Sequence, residues 1–414
     1  MWLTIIREFF SDLRKQKLRS FLTLVAIAWG TLSVVLLLAF GRGLGTALME
    51  GMLGAGNQVI MVYGGQTSMA YEGHPEGRRI SFVEEDVWLI ERAVPGISHA
   101  SPQYGRGGTR LQTDLTTTNT YMEGVNPDFE IMRTMYPAAG GRFINEKDVD
   151  EARRVLVLGD EIATRLFGEE DPVGQEVRLD NQPFTVVGIL QPKMQTSMNF
   201  GPDALRAIIP YTTFRNIYGH RYVGSMLIRP SDPSMQEDIV AGIRSVMASK
   251  YNFHRDDEQA MPMWDFIEME EMNQQVATGM EIFLFTIGFF TLMIAGVGVA
   301  NIMFVIVKER TREIGIKLAV GARKIHIIVQ FMFESLFISF MGGFLGLAVS
   351  ASIVQGVLAL NMTDGPGEFL GKPEISALAV VITVSVLVLI GLIAGIFPAL
   401  KAAKVDPVES LRYE

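Results

Sequence analysis

IFLFTIGFFTLMIAGVGVANIMFVIV, residues 282–307, runs directly into KERTREIGIKLAVGARK, residues 308–324. The first stretch is 26 residues without a charged side chain, and the second holds six Lys/Arg in seventeen. At about 1.5 Å of rise per helical residue, roughly 20 residues cross a hydrocarbon core of about 30 Å. The first stretch is therefore predicted to be a membrane-crossing helix that ends in a basic connector. Three more uncharged runs of similar length lie outward from it: Phe21–Phe40, Ser335–Leu360 and Ile375–Leu400. With 49% hydrophobic residues and a mean hydropathy of +0.26, the chain reads as an α-helical membrane protein. The expected fold has four transmembrane helices plus a large α/β extracytoplasmic domain inserted between helices 1 and 2.

Charge sets the orientation. Residues 1–20 carry five Lys/Arg, 308–324 six and 401–414 three, whereas the 361–374 loop carries only Lys372. Short basic flanks stay on the cytoplasmic side, so both termini and the 308–324 loop are expected inside and residues 43–280 outside. The formal net charge of −9 is uneven, with 20 Lys/Arg against 33 Asp/Glu in 43–280. An acidic body of this kind argues against nucleic-acid binding, which draws on phosphate neutralisation. The 20-residue first run, followed by Arg42, exceeds the apolar core of a cleaved signal peptide and is expected to remain as a span. Ahead of it, Trp2, Ile5, Ile6, Phe9, Phe10 and Leu13 recur at helical spacing, as in an amphipathic helix lying on the inner membrane surface.

The expected division is a cytoplasmic amphipathic helix at 1–20, transmembrane helix 1 at 21–42, the extracytoplasmic domain at 43–280 and helix 2 at 281–307. The cytoplasmic loop at 308–324 leads to helix 3 at 325–360, a short external loop at 361–374, helix 4 at 375–400 and a cytoplasmic tail at 401–414. Inside the exterior domain, Val155–Leu158, Phe184–Leu190 and Ala207–Pro210 are rich in β-branched residues and predict strands. Glu84–Arg92, Asp160–Phe167 and Ser234–Lys250 alternate at helical period. Thr109–Thr120, with six Thr, reads as an exposed hairpin.

Residues that carry enzyme chemistry are missing from the pattern. The chain has no Cys, which removes disulfides, thiolate metal sites and a thiol nucleophile. His74, His99, His220, His254 and His326 are scattered without H-E-x-x-H spacing. No G-x-S-x-G elbow, G-x-G-x-x-G turn or G-x-x-x-x-G-K-[ST] phosphate loop occurs. No catalytic residue, metal or cofactor is expected in the chain, and any ATP dependence has to come from a partner.

Three blocks and the carboxyl end carry a resemblance. Lys15–Leu24 is similar to a basic entry to a first span. Gly141-Arg142-Phe143, Val155–Gly159, Leu166-Phe167-Gly168, Asp171–Gly174 and Phe184–Leu190 form an ordered series of strand, helix and turn. Lys308–Ile325 is the third block, and Pro398–Glu414 is similar to the usual finish. Together they resemble the MacB/FtsX-type ABC transporter permeases, with a MacB-like extracytoplasmic core domain and an FtsX-like transmembrane domain. The resemblance implies a porter-like part at 43–128 and 222–280 with an inserted subdomain at 129–221. It implies a multi-pass protein of the bacterial cytoplasmic (inner) membrane that works as a homodimer or pseudo-symmetric heterodimer of permeases. It also implies a cytoplasmic ABC ATPase subunit that binds ATP and Mg, with a periplasmic adaptor and outer-membrane channel as further partners.

From charge alone, the basic loop reads as a topology signal; the resemblance makes it an ATPase-coupling surface. The residues concerned are Glu309, Arg310, Arg312, Glu313, Gly315, Leu318, Val320, Gly321, Ala322, Arg323 and Lys324. Arg310, Arg312, Arg323 and Lys324 supply donors, Leu318 and Val320 can fill a pocket, and Gly321 permits a break between helices. Glu334 and Asn301 are polar residues inside spans; Glu334 either ties helix 3 to the loop or to Asn301, or sits at the interface. Gly342-xxx-Gly346 and Gly391-xxx-Gly395 allow close helix approach, within the four-helix unit or at a dimer seam. The expected function is export from the periplasmic side by mechanotransmission driven by a separate ATPase. FtsX-like or sensor-type signalling and Lol-like lipoprotein extraction are the alternatives.

Overall fold

In a computed structural model of the chain, the described residues are 17–53, 56, 58–114, 116–193, 195, 201–360 and 371–404. They fall into two compact units, one around 48–274 and one joining the N-terminal helix to 275 onward. The amphipathic helix expected over 1–20 lies outside the described residues up to position 16, and 17–20 already belong to α1, Lys17–Leu53. Most of the loop expected over 361–374, namely 361–370, and the tail from 405 also lie outside them.

The body between α1 and the second long helix is mixed α/β. In chain order it contains β1 Ile60–Tyr63, α2 Glu84–Ala93, β2 Ile97–Gln112, β3 Thr117–Val125, α3 Phe129–Met132, α4 Glu146–Asp150 and β4 Val155–Leu158. Then come α5 Asp160–Phe167, β5 Glu176–Leu179, β6 Gln182–Ile189, β7 Arg206–Pro210, α6 Tyr211–Tyr218, β8 Ser225–Pro230, α7 Gln236–Tyr251 and β9 Met263–Asp265. The strands the sequence predicts at 155–158, 184–190 and 207–210 form within a residue or two; β4 and β7 are buried on both faces, while β6 alternates, with Phe184, Val186 and Gly188 buried.

The strand order is β3-β7-β4-β6-β5-β2-β8-β1-β9, with β3 also paired to β2. That last pairing closes β2-β3-β7-β4-β6-β5 into a ring of six strands, so none of the six presents an open edge of the kind that invites aggregation. The near half of β2, Ile97–Gln103, pairs instead with β8 in the antiparallel base sheet β2-β8-β1-β9. The division expected between 128 and 129 is therefore not where strand pairing changes. It changes inside β2, where pairing with β8 ends at Gln103 and pairing with β3 begins at Tyr104. The Thr-rich segment does make a hairpin, but Thr109 and Thr120 are paired across it and buried, contrary to the expectation of exposure. Strand alternation turns every second residue inward, and these two fall on the inner side. A bulge between Arg106 and Thr109 is accommodated by Gly108 at φ +70°.

The second unit contains the helices long and apolar enough to cross a membrane; among the described residues there are four. They are α1, α8 Phe266–Glu309, α10 Lys324–Ala359 and α11 Ala377–Ala402, with the short α9 Thr311–Ala319 between α8 and α10. α1, α8 and α10 outrun the uncharged stretches that announced them, α8 by 16 residues at its start, while α11 has the length of its stretch and is shifted by two residues. The Ser376 hydroxyl caps α11 by accepting from the Ala379 amide.

Glycines bring these helices together. A Cβ added at Gly346 would lie 2.6 Å from the Ala28 carbonyl oxygen and 2.6 Å from Thr31 Cβ, and one at Gly342 would lie 2.7 Å from Ile27 Cβ. Gly391 and Gly395 receive Ser339 and Ser335 of α10 in the same way, and Ser335 Oγ donates to the Gly391 carbonyl at 3.0 Å. Both glycine pairs thus pack within the four-helix unit, where close backbone approach and interhelical hydrogen bonds take the place of a hydrophobic driving force.

Candidate functional site

The basic connector folds as α9 between two turns. Thr311 Oγ1 donates back to the Lys308 carbonyl at 2.8 Å at its start. At its end the Gly321 amide donates to the Leu318 carbonyl and the Ala322 amide to the Lys317 carbonyl, at 3.1 and 3.0 Å, with Gly321 at φ +97°. This is a Schellman arrangement, which satisfies carbonyls that a helix end leaves open and needs a left-handed residue after the cap. The chain then enters α10 directly, with Arg323 as its N-cap residue. The break expected at Gly321 is there for this reason.

The two faces of α9 differ. Ile314 and Gly315 are buried, and Leu318 is half-buried against the core that Ile327 and Phe331 share with α8 and α11. Opposite them, Ile316 is exposed and Val320 is 84% exposed, with Arg312, Arg323 and Lys324 also exposed and Ala322 half-buried. Glu309 and Glu313 lie exposed beside them. The outward face is thus an apolar pair, four residues apart, rimmed by cations.

Arg310 does not belong to that outward set. Its guanidinium is largely buried, and Nη1 lies 3.2 and 3.5 Å from the two oxygens of Glu334 on α10. Gln330 Nε2 donates to the same carboxylate at 3.2 Å, and Glu313 lies 3.9 Å from Arg310 Nε. Glu334 is 3% exposed, so its carboxylate is held by a cation and an amide rather than left to lipid. Asn301 is exposed on α8, and no contact between it and Glu334 is present among the described residues. Of the polar residues noted inside the spans, the structure brings Glu334 to the connector and leaves Asn301 outside. Ile316 was missed by sequence reasoning; its signal was its place four residues before Val320.

A second charged cluster lies inside the body, where sequence reasoning saw none. Arg133 Nη2 donates to Asp203 at 3.0 Å, Lys193 Nζ lies 2.7 Å from the same carboxylate and Arg206 Nε 3.1 Å from it. Arg206 also bonds Glu123, which accepts from Gln103 Nε2 at 2.8 Å, and Ser225 Oγ of β8 donates to Gln103. Burial opposes ionisation of Asp203, but Arg133, Arg206 and Lys193 together hold its carboxyl below the usual range. Burial pushes Glu123 up, against the pull of Arg206 and Arg133. The cluster ties the ring to the base sheet. No group of His, Asp and Glu that could hold a metal ion is present among the described residues.

With this geometry in place, comparison with known proteins is informative. A family model described as a MacB-like periplasmic core domain matches residues 20–246, and one described as an FtsX-like permease C-terminal region matches 285–407. The chain is 29% identical over 416 residues to the macrolide export ATP-binding/permease protein MacB of Bdellovibrio bacteriovorus, covering 99% of this chain and 61% of that one. It is 31% identical over 409 residues to the protein of the same name from Rhodospirillum rubrum, covering 97% and 59%. The chain therefore spans about 60% of the length of these curated relatives. The crystal structure of the periplasmic region of MacB from Actinobacillus actinomycetemcomitans aligns at 19% identity and a TM-score of 0.42, covering 54% of this chain and 96% of that one.

Proposed function

Because this chain belongs to the family of MacB/FtsX-type permeases, a multi-pass membrane family, we propose that it is the permease subunit of an ABC transporter whose ATPase sits on a partner subunit. ATP and its Mg are assigned to that partner; these 414 residues themselves hold no phosphate-loop motif. The connector and both termini face the cytoplasm, by the excess of Lys/Arg in the short flanks. The ATPase docks on the outward face of α9, where Ile316 and Val320 enter a shallow apolar seat and Arg312, Arg323 and Lys324 meet acidic groups around it. The observation that carries this reading is the two-faced connector: one side sealed onto the helix bundle by Ile314, Leu318 and the Arg310–Glu334 pair, the other left open.

ATP-driven movement of the docked partner then shifts α9. The shift passes into α10 through Arg310 and Glu334, and into α8, which continues from the connector to β9 without a helical break. Substrate is handled by the body outside the bilayer and exported from the periplasmic side, with a periplasmic adaptor and an outer-membrane channel as further partners. Purifying the full chain in detergent and identifying what comes with it tests the reading. An ABC ATPase is expected, and Val320→Asp with Arg312→Glu is expected to abolish its recovery while the helical content of the chain is unchanged. Unchanged recovery from the doubly substituted chain would remove α9 as the docking surface.

A further inference from the structure

Where α8 runs into the connector, Val297, Asn301, Phe304 and Lys308 follow one another at intervals of four, three and four residues, so they share one face of the helix, and all four are exposed. The corresponding end of α11 presents Phe397, Lys401 and Lys404 at the same kind of spacing, also exposed. The two faces belong to neighbouring helices. Gly296 of α8 lies directly against Ile390 of α11, and farther along the Lys401 ammonium sits 5.6 Å from the centre of the Phe304 ring. Along the cleft between these two contacts, Val297 and Phe397 are 62% and 64% exposed. The mouth of the cleft carries three lysines, and none of Lys308, Lys401 and Lys404 has a carboxylate within ion-pair distance among the described residues.

A lysine that served only as a topology signal would extend into water. Lys401 instead lies over an aromatic face of the next helix, a contact that gains most where the cation is partly desolvated. Asn301 puts an amide on the same face of α8, seven residues or about 10 Å deeper along the helix than Lys308. An exposed amide at that depth needs a polar partner that lipid tails do not offer. We propose that the cleft holds one anionic phospholipid of the leaflet on the connector's side. Its phosphate sits among Lys308, Lys401 and Lys404, its ester oxygens accept from the Asn301 amide, and an acyl chain lies along Phe397 and Val297. Lysine stems run along apolar groups while their ammonium ends stay at the surface, which suits a headgroup at the mouth. A soluble acidic partner would answer the cations but neither the amide nor the apolar walls, so the three features together favour a lipid. The inference rests on α8 and α11 crossing the membrane and not on the docking of an ATPase at α9.

Native mass spectrometry of the full chain in detergent, without an ATPase, tests this with phosphatidylglycerol, with phosphatidylcholine of the same acyl chains and with inorganic phosphate. Phosphatidylglycerol is expected to be retained, phosphatidylcholine to be retained more weakly, and phosphate neither to bind nor to displace the lipid. A lysine near an anionic headgroup is worth roughly fivefold in affinity, so Lys308→Gln with Lys401→Gln should weaken retention roughly thirtyfold, and Lys308→Arg with Lys401→Arg by less than about twofold. Asn301→Leu should weaken it roughly threefold, the size of a typical hydrogen bond within a membrane. Arg323→Gln with Lys324→Gln removes the same charge outside the cleft and should leave retention within about twofold. Equal retention of the two lipids, displacement by phosphate, or equal loss from the two charge-removing pairs would overturn the proposal. So would unchanged retention in a Lys308→Gln, Lys401→Gln chain that no longer recovers the ATPase, which would give these cations to the protein partner instead. Phe397→Trp in the otherwise unaltered chain supplies a reading that does not depend on how the lysine variants fold. The added emission should be quenched more by brominated phosphatidylglycerol than by brominated phosphatidylcholine at the same mole fraction, and equal quenching would count against the site. Because ATPase recovery through α9 is measured separately, failure of the lipid site and failure of the transporter reading give different results.

Discussion

The body and the helix bundle deal with buried polarity in opposite ways. In the body, four fully buried charged side chains, Glu123, Arg133, Asp203 and Arg206, are gathered into one cluster that links β3, β7 and the chain before them. In the bundle, Arg310 of the connector meets Glu334 of α10, Arg42 of α1 meets Glu281 of α8, and the closest contacts between helices are made by Gly meeting Ser, Thr, aliphatic side chains or backbone. The body folds by withdrawing apolar surface from water, so it can carry a charged cluster provided each carboxylate is held by cations. Helices already dissolved in lipid gain nothing from that withdrawal and depend on how closely they approach. The same chain thus uses chemistry to hold one unit and shape to hold the other.

The sharpest way to break this contrast is in the cluster. Asp203→Ala leaves Arg133, Arg206 and Lys193 without their common carboxylate and should cost the body about 3–5 kcal/mol, the size of breaking a buried ion pair. Tryptophan emission during thermal unfolding in detergent, which reports Trp88 and Trp264 in the body, checks this; a Tm within a degree of the unsubstituted chain would show the cluster to be incidental. Acid acts on the same groups. Asp203, Asp148 and Asp257 all titrate below the usual carboxylate range when folded: burial opposes this in each, and is outweighed by Arg133 and Arg206 for Asp203, by Arg142 for Asp148, and by donors from Ser68 and Met69 for Asp257. A carboxyl with a depressed folded pKa contributes stability above its unfolded value of about 3.9 and loses it as pH falls through the folded value. The body should therefore melt at progressively lower temperature between about pH 4 and pH 2 while bundle helicity persists, as far-ultraviolet circular dichroism would register.

In the bundle the matching experiment concerns shape. Gly346→Val forces a branched side chain against the Ala28 carbonyl and Thr31 and should cost about 1–3 kcal/mol, the usual size for overpacking. Gly356→Val, at an exposed position where an added Cβ meets nothing within 4 Å, should cost nothing measurable, since Val has the higher helix propensity of the two. Equal losses at the two positions, measured as detergent-resistant helicity, would show that close approach does not hold the bundle. The smallest effect is expected at the connector: Gly321→Ala places a Cβ at φ +97°, a strain of about 1–2 kcal/mol, and should appear as faster proteolysis at Arg323 and Lys324.

The spans were legible because uncharged runs of 20 residues or more have few other uses, and the inner strands because β-branched runs of four or five between Gly and Pro have few others. The start of α8 was not, because Phe266–Glu281 mixes Glu, Gln and Met and looks like the end of a soluble domain. Ring closure was also hidden, since it depends on β3 meeting both β2 and β7, far apart in sequence. The charged cluster left a faint trace: Arg206 sits in an otherwise apolar strand, and Glu123 follows Tyr121 and Met122 at the apolar end of β3, and such residues need a partner from another strand. At the connector, the residue types gave away its outer face, but which Arg turns inward depended on Glu334, 24 residues later.

Since β2 is a single strand of 16 residues laced into the base sheet over its first half and into the ring over its second, these two parts of the body share a spine. A hinge between them would have to tear a continuous ladder, so large scissor-like opening is closed off. What such a spine can pass along is torsion: a turn of the base strands arrives in the ring as twist, and the bulge at Gly108 is the point where that twist would be absorbed or redirected.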